Sequence, residues 1–142
     1  MSSNITRLIS PKRFDLMAKY IYIKFKAKKI NTSFYYDLYH EHMKTFNNCW
    51  EYPGTKTKIK DFITAFDSLI HSIERDGFNK NFPIPVGINN LIINGAHRLM
   101  VCYYYNKTPF FIREKKLATS YNYMFFLDRK QSEITKQINI NF

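Results

Sequence analysis

Apolar residues recur every three or four positions in three segments of the first half of the chain, as they do along the buried face of a helix. The first segment covers about residues 12 to 28, the second follows Ser33, and the third ends at Gly77. Their apolar positions are, in order, Phe14, Met17, Ala18, Ile21 and Phe25; Leu38, Tyr39, Met43 and Phe46; and Ile59, Phe62, Ile63, Phe66, Leu69, Ile70 and Ile73. The pattern predicts three helices, the last of which ends at a glycine suited to a left-handed cap.

The pattern changes after Gly77. The short segments "FPIPVG" and "NNLIING" flank a turn at residues 88–90 and predict two strands, and Pro83 and Pro85 favour a sheet edge for the first. A helix is expected from about 96 to 106, and "TPFFI" predicts a last strand. The order helix, strand, strand, helix, strand indicates an α+β fold.

The length of 142 residues suits a single domain, 1–142. We divide it into a helical N-terminal extension (1–50), a core (51–115) and a C-terminal segment (116–142) that we expect to be helical. The longest apolar-leaning stretch is interrupted by lysines and is too short to span a membrane. Two cysteines without a CxxC motif, and no signal-peptide pattern, favour a cytoplasmic location.

Charge is the most unusual property of the composition. The chain has 22 Lys and Arg against 11 Asp and Glu, a net charge of +11, which attracts polyanions and phosphorylated small molecules. Lys24, Lys26, Lys28 and Lys29 lie in the most basic part and are candidate nucleic-acid contacts. A composition rich in Lys, Asn and Ile can equally follow from an AT-biased genome, so charge alone does not identify a partner.

The most informative stretch is "LIINGAHRLMVCYYY", residues 91–105. Here a predicted strand ends at Asn94, Gly95 and Ala96, and His97 and Arg98 begin a predicted helix. Such a turn surrounds a small volume with backbone N–H groups, a helix N-terminus and a guanidinium, which together bind anions. The alternative is a solvated helix start without a ligand.

The block from Phe66 to Ile112 resembles the ParB/sulfiredoxin-like domain, in which a helix ending in "SI…G" precedes a strand hairpin, a "GxHR" or "GxRR" turn, a helix and a strand. The matching residues are Ser72-Ile73, Gly77, Ile84-Pro85-Val86, Gly95, His97-Arg98 and Thr108-Pro109. The resemblance covers about a third of the chain. It implies that residues 94–98 hold the phosphates of a nucleotide, ATP or ADP with Mg²⁺.

Departures from the family pattern narrow the implied activity. Ala96 stands where sulfiredoxins have their reactive cysteine, and His97 stands where ParB proteins have the first of two arginines. The turn is similar to that of the branch with small-molecule kinases, although Asn94 replaces their aspartate. The resemblance therefore implies a nucleotide-dependent phosphotransferase that acts on a hydroxyl of an amino acid, sugar or alditol.

Two residues are candidates for catalysis. The kinases of this branch use a glutamate as the base for the accepting hydroxyl, and Glu51 in "CWEYPG" is the nearest match, at a longer spacing. His97 is the second candidate, and no metal ligands are expected, since His40 and His42 lie on different faces of a helix. The alternatives are a solvated loop carboxylate at Glu51, a ParB-like nucleic-acid-binding module, and a nucleotide-binding accessory domain without catalysis.

Overall fold

Four helices of ten or more residues and a small parallel sheet are formed by the residues that the computed structural model describes, which are 7–10, 12–30, 33–47, 54–122 and 124–128. The elements are, in chain order, α1 (Leu16–Ala27), α2 (Phe34–Asn47), α3 (Ile59–Asp76), β1 (Ile84–Val86), α4 (Ala96–Tyr105) and β2 (Phe111–Arg113). This mixture of helix and strand confirms the α+β class. No helix in the described part of the chain is both long and apolar enough to span a membrane.

Helix α3 buries the face that its periodicity predicts. Phe62, Phe66, Ile70 and Ile73 are buried, and the helix ends at Gly77, whose φ of 81° is accessible to glycine at little cost. The Gly77 N–H donates to the Ile73 carbonyl and closes the last turn. The predicted third helix and its end at Gly77 are therefore confirmed, but a ψ of −173° places Gly77 outside the left-handed helical conformation that was predicted for the cap.

Helix α1 lies within the predicted range but buries only part of the predicted stripe. Ala18 is buried, and Ile21 and Phe25 pack partly buried against the core, whereas Phe14 is 37% exposed and Met17 is 54% exposed. The buried residues of the helix are Leu16, Ala18, Lys19, Tyr22 and Ile23. The prediction was incomplete because it counted apolar residues only, whereas the buried face of α1 includes a lysine and a tyrosine.

Strands β1 and β2 run parallel, with α4 as the crossover between them. Ile84 faces Phe111 in the register, and Val86 faces Arg113. Ile84 and Val86 are buried, together with residues 99–102 of α4. The sheet thus fixes the position of the loop that leads into α4.

The predicted hairpin is reduced to one antiparallel bridge between Val86 and Ile92. A turn joins the two sides, in which the Gly87 N–H donates to the Leu91 carbonyl at 2.9 Å. Pro85 accepts from the Ile93 N–H at 2.8 Å, but a proline has no N–H to return. The second strand therefore does not extend beyond the bridge.

The C-terminal segment is helical only over residues 124–128 within its described part. Before that, the Asn89 side chain bonds both the N–H and the carbonyl of Ala118, and Tyr121 forms a parallel bridge with Arg13. These contacts hold residues 118–121 in a non-helical path, so the predicted helix was wrong there. Residues 129–142 lie outside the described residues.

Candidate functional site

A cavity of about 530 Å³ lies between the N-terminal helices and the loop that precedes α4. We call its two sides the helical wall, from residues 13–46, and the turn wall, from residues 93–98. Lys56, residues of α3 and Tyr121 complete the lining. The lining residues are Arg13, Asp15, Lys19, Tyr39, Met43, Phe46, Lys56, Phe62, Ala65, Phe66, Leu69, Ile93, Asn94, Gly95, Ala96, His97, Arg98 and Tyr121.

The turn wall depends on Gly95. Its φ of 87° and ψ of 24° place it in the left-handed region, which glycine enters without the cost that a Cβ would impose. A Cβ would also lie 2.9 Å from Nη2 of Arg98 and 3.2 Å from Cγ1 of Ile84. Gly95 precedes α4 and has no side chain with which to cap it, and the Gly95 N–H itself donates to Asn94 Oδ1 at 2.7 Å. The turn therefore presents the N-terminus of a ten-residue helix to the cavity.

His97 is held within the fold by two aromatic side chains. Its Nε2 lies 2.8 Å from the Tyr39 hydroxyl oxygen, and its ring meets the Phe66 ring edge-on at 4.6 Å between centroids. Desolvation lowers the pKa of His97 well below 6.5, and the charge of Lys19 lowers it further. The imidazole is therefore neutral at pH 7 and offers hydrogen bonds rather than charge.

Arg98 lies on the same wall with its guanidinium partly buried. Nη1 donates to the Phe82 carbonyl, and the guanidinium carbon lies 5.6 Å from the centroid of the Phe78 ring. Burial lowers the pKa of Arg98 below its ordinary value, but an arginine remains charged at neutral pH. Arg98 thus adds a fixed positive charge beside the helix N-terminus.

The helical wall contains a buried ion pair. Arg13 and Asp15 are joined by two hydrogen bonds, Nε to Oδ1 at 2.8 Å and Nη2 to Oδ2 at 2.7 Å, and Arg13 Nη1 donates to the Ile92 carbonyl at 2.7 Å. An aspartate at the start of a helix normally caps it, but Asp15 forms no such bond with α1. Its carboxylate is committed to Arg13, which in turn connects this wall to the loop before α4.

Lys19 lies one turn into α1 and is only 3% exposed. Its Nζ is 2.9 Å from Nε2 of His42, 3.4 Å from the Asp15 carbonyl oxygen and 3.9 Å from Asp15 Oδ2. Desolvation and the Lys19 charge both lower the pKa of His42, so His42 is neutral and accepts a hydrogen bond from the ammonium group. Lys19 shares a single carboxylate with Arg13.

Charge and aromatic surface meet in this cavity. Among the described lining residues, four cations (Arg13, Lys19, Lys56 and Arg98) face one carboxylate, Asp15. The aromatic lining residues are Tyr39, Phe46, Phe62, Phe66 and Tyr121. This combination suits a ligand that has both anionic groups and a flat apolar part.

The residues predicted from the turn motif lie together. Asn94, Gly95, Ala96, His97 and Arg98 all line the cavity. Glu51, the predicted base, lies outside the described residues, and its placement stays a prediction.

The four lysines proposed for nucleic-acid contact are absent from the described lining of the cavity. Lys26 forms an ion pair with Asp67 at 2.8 Å, whereas Lys28 and Lys29 are exposed at the end of α1. The four lysines therefore differ in their exposure and in their ion pairs.

Sequence reasoning missed Arg13, Asp15 and Lys19 as site residues. No motif marks them, but one signal was present: Lys19 falls three residues after Leu16 and four before Ile23, on what becomes the buried face of α1. A lysine on such a face is normally excluded unless it is paired or functional.

Comparison with known proteins does not identify the chain, since no family model, no curated protein and no solved structure matches it. Within the described residues, no group of three or more His, Cys, Asp or Glu side chains could hold a metal ion. The resemblance to the ParB/sulfiredoxin-like domain stays a prediction from the motif residues.

Proposed function

We propose that this protein is a nucleotide-dependent phosphotransferase with a ParB/sulfiredoxin-like core, which transfers a phosphoryl group from ATP or ADP to a hydroxyl of a small molecule. The observation that carries the proposal is the cavity in which the helix N-terminus at Gly95 meets four cationic side chains and an aromatic lining. Its volume of about 530 Å³ is in the range of small-molecule and cofactor sites.

In the proposed reaction the acceptor hydroxyl oxygen attacks the terminal phosphorus of the nucleotide. The bond from that phosphorus to the bridging oxygen breaks, and the shortened nucleotide leaves with the bonding electrons. The hydroxyl proton passes to a base, for which Glu51 is our candidate. Catalysis of this kind depends mainly on positioning and on neutralising phosphate charge.

The described residues are suited to that task. The first N–H groups of α4 and the Arg98 guanidinium would bind phosphate oxygens, and Lys56 would add charge from the residues that precede α3. His97 is neutral, so it would orient a phosphate or hydroxyl by hydrogen bonding. The family pattern also implies Mg²⁺, but the one described carboxylate of the cavity, Asp15, is bonded to Arg13 through both oxygens. We assign no step to a protein-bound metal.

Nucleotide binding tests the turn wall. Titration calorimetry of the unmodified protein should detect ATP or ADP, and Arg98→Ala should weaken the affinity tenfold or more, because it removes a charge-assisted contact to phosphate worth about 1.5–3 kcal/mol. Arg75→Ala is the matched control, since Arg75 is an exposed arginine of α3 that is paired with Asp76. Unchanged affinity in Arg98→Ala, with an intact fold, would remove the turn from the proposal.

Turnover tests the catalytic part. Glu51→Gln should leave nucleotide affinity unchanged and lower phosphate transfer by roughly 100-fold or more, because it removes the basic oxygen and keeps the size of the side chain. Glu74→Gln, an exposed change on α3, serves as the control. The unmodified protein could bind nucleotide but transfer phosphate to no hydroxyl in a broad acceptor panel. In that case the proposal of an enzyme is replaced by that of a nucleotide-binding accessory domain.

A further inference from the structure

The outer face of the β1–β2 sheet carries exposed apolar side chains. Ile84 and Val86 are buried in the core, so the residues that alternate with them in the parallel register lie on the opposite, outer face. On that face Phe110, just before β2, is 41% exposed and Ile112 is 50% exposed. Phe82, just before β1, is 65% exposed. All three are absent from the described lining of the cavity, so the proposed reaction does not account for them.

The backbone of β2 also has one edge that faces away from β1. The Ile84 N–H donates to the Phe110 carbonyl at 2.8 Å, and in this register Phe110 and Ile112 direct their backbone groups toward β1. The backbone groups of Phe111 and Arg113 therefore point to the other side, where no strand formed by the described residues pairs with β2. An edge of this kind accepts another extended strand.

Positive charge surrounds this edge. Residues 107–116 contain three lysines and one arginine against a single carboxylate, Glu114, which is ion-paired with Lys116 at 3.4 Å. Lys80 Nζ lies 5.0 Å from the centroid of the Phe110 ring. Two copies of this edge repel each other, because the charge is of one sign here and the whole chain carries +11. A strand of opposite charge is attracted, so charge complementarity favours an acidic partner.

We propose that β2 binds an acidic, extended segment of a partner protein, which adds a strand to the sheet at this edge. The backbone of the segment would exchange hydrogen bonds with Phe111 and Arg113. Its apolar side chains would cover Phe110 and Ile112 on the outer face, and its carboxylates would lie among the cations of residues 107–116. The interaction lies outside the cavity and does not depend on the proposed phosphotransferase activity.

Three peptides of equal length test the interaction with the unmodified protein. In the first, glutamate alternates with valine; in the second, lysine replaces each glutamate; the third is the glutamate peptide with every backbone nitrogen methylated. Fluorescence anisotropy should show saturable binding of the labelled glutamate peptide, which weakens with increasing salt. The lysine peptide and the methylated peptide should each bind about tenfold more weakly or worse, because one has the wrong charge and the other lacks hydrogen-bond donors. No binding of the glutamate peptide, or equal binding of either control, overturns the proposal.

A pair of variants at Arg113 tests the backbone edge from the side of the protein. Arg113→Pro removes an N–H that points away from β1, so the bonds between the two strands are kept. Arg113→Ala is the matched control, since both changes remove the same side-chain bonds to Gly87 and Asn90. The glutamate peptide should bind Arg113→Pro about tenfold more weakly than Arg113→Ala. Equal affinities contradict the proposal, and the peptide comparison above decides the question even if Arg113→Pro does not fold.

A nucleic acid is the other polyanion that a basic face with exposed aromatic rings attracts. Oligothymidylate of the same net charge as the glutamate peptide is therefore added as a competitor. We expect the peptide to remain bound, because the edge offers backbone hydrogen bonds that an oligonucleotide does not match. Displacement of the peptide, with equal affinity of the oligonucleotide for Arg113→Pro and Arg113→Ala, would assign this face to nucleic acid and overturn the proposal.

Discussion

The two walls of the cavity are built in different ways. The turn wall consists of consecutive residues, 93–98, and its shape depends on one glycine with a left-handed backbone. The helical wall collects residues from 13 to 46, and its groups are held by contacts between distant parts of the chain, such as Arg13 Nη1 to the Ile92 carbonyl, 79 residues away. One wall is specified locally and the other only by the complete fold.

Because of this difference, we expect mutations in the two walls to have different effects. Arg98 is partly buried at the turn, and its loss should change ligand binding more than folding. Arg13 and Asp15 are buried where the chain before α1 meets the loop before α4, so their loss should change folding first. Substitutions in the two walls test this contrast.

Breaking the buried ion pair should have the largest effect. Asp15→Ala leaves Arg13 and Lys19 without their shared carboxylate, and removal of one partner from a buried pair costs about 3–5 kcal/mol. We expect that loss in the free energy of unfolding measured with urea. Asp76→Ala is the control, since Asp76 is paired with Arg75 on an exposed surface and should hardly matter. Equal effects of both changes would show that burial does not strengthen the Asp15 interaction.

Acidification should destabilise the protein through both walls. Burial lowers the pKa of His42 and of His97 below the ordinary value of 6.5. Below pH 6.5 the unfolded chain therefore binds protons at these positions while the folded chain does not. This contribution is complete above pH 6.5 and falls with decreasing pH, by up to about 1.4 kcal/mol per pH unit for each histidine.

Urea unfolding between pH 7.5 and 5.5 measures this slope. His42→Gln should remove the contribution of the helical wall and His97→Gln that of the turn wall, so each should flatten the dependence. His40→Gln, an exposed change on α2, is the control. A slope unchanged in both test variants would assign the pH dependence to other groups.

Much of the fold follows from apolar periodicity. The α3 stripe predicts its buried face because its buried residues are all apolar. The same method found only part of the α1 face, since Lys19 and Tyr22 are buried there through polar contacts: Lys19 with His42, and Tyr22 with Asp67 at 2.6 Å. Apolar periodicity detects side chains that are buried because they are hydrophobic. It cannot detect polar side chains whose cost of burial is compensated by a partner that is distant in the sequence.

The same difference explains which residues of the candidate site could be found from the sequence. The turn residues 94–98, which line the cavity, could be grouped from the sequence because they are neighbours in it and a glycine marks the backbone requirement. The helical wall was missed because neither Arg13 nor Lys19 belongs to a motif, and only the folded chain brings His42 beside Lys19. Local chemistry can be read from a sequence, whereas charge compensation between helices requires the structure.

The contact between the walls should have the smallest effect. Tyr39→Phe removes the hydroxyl that lies 2.8 Å from His97 Nε2 and should cost about 1 kcal/mol, the usual net value of such a hydrogen bond. Tyr103→Phe, an exposed change on α4, is the control. A double-mutant cycle of Tyr39→Phe with His97→Gln, measured by urea unfolding, isolates the interaction. A coupling energy near zero would mean that the two walls are positioned independently, whereas the expected coupling of about 0.5–1.5 kcal/mol would mean that Tyr39 orients His97 across the cavity.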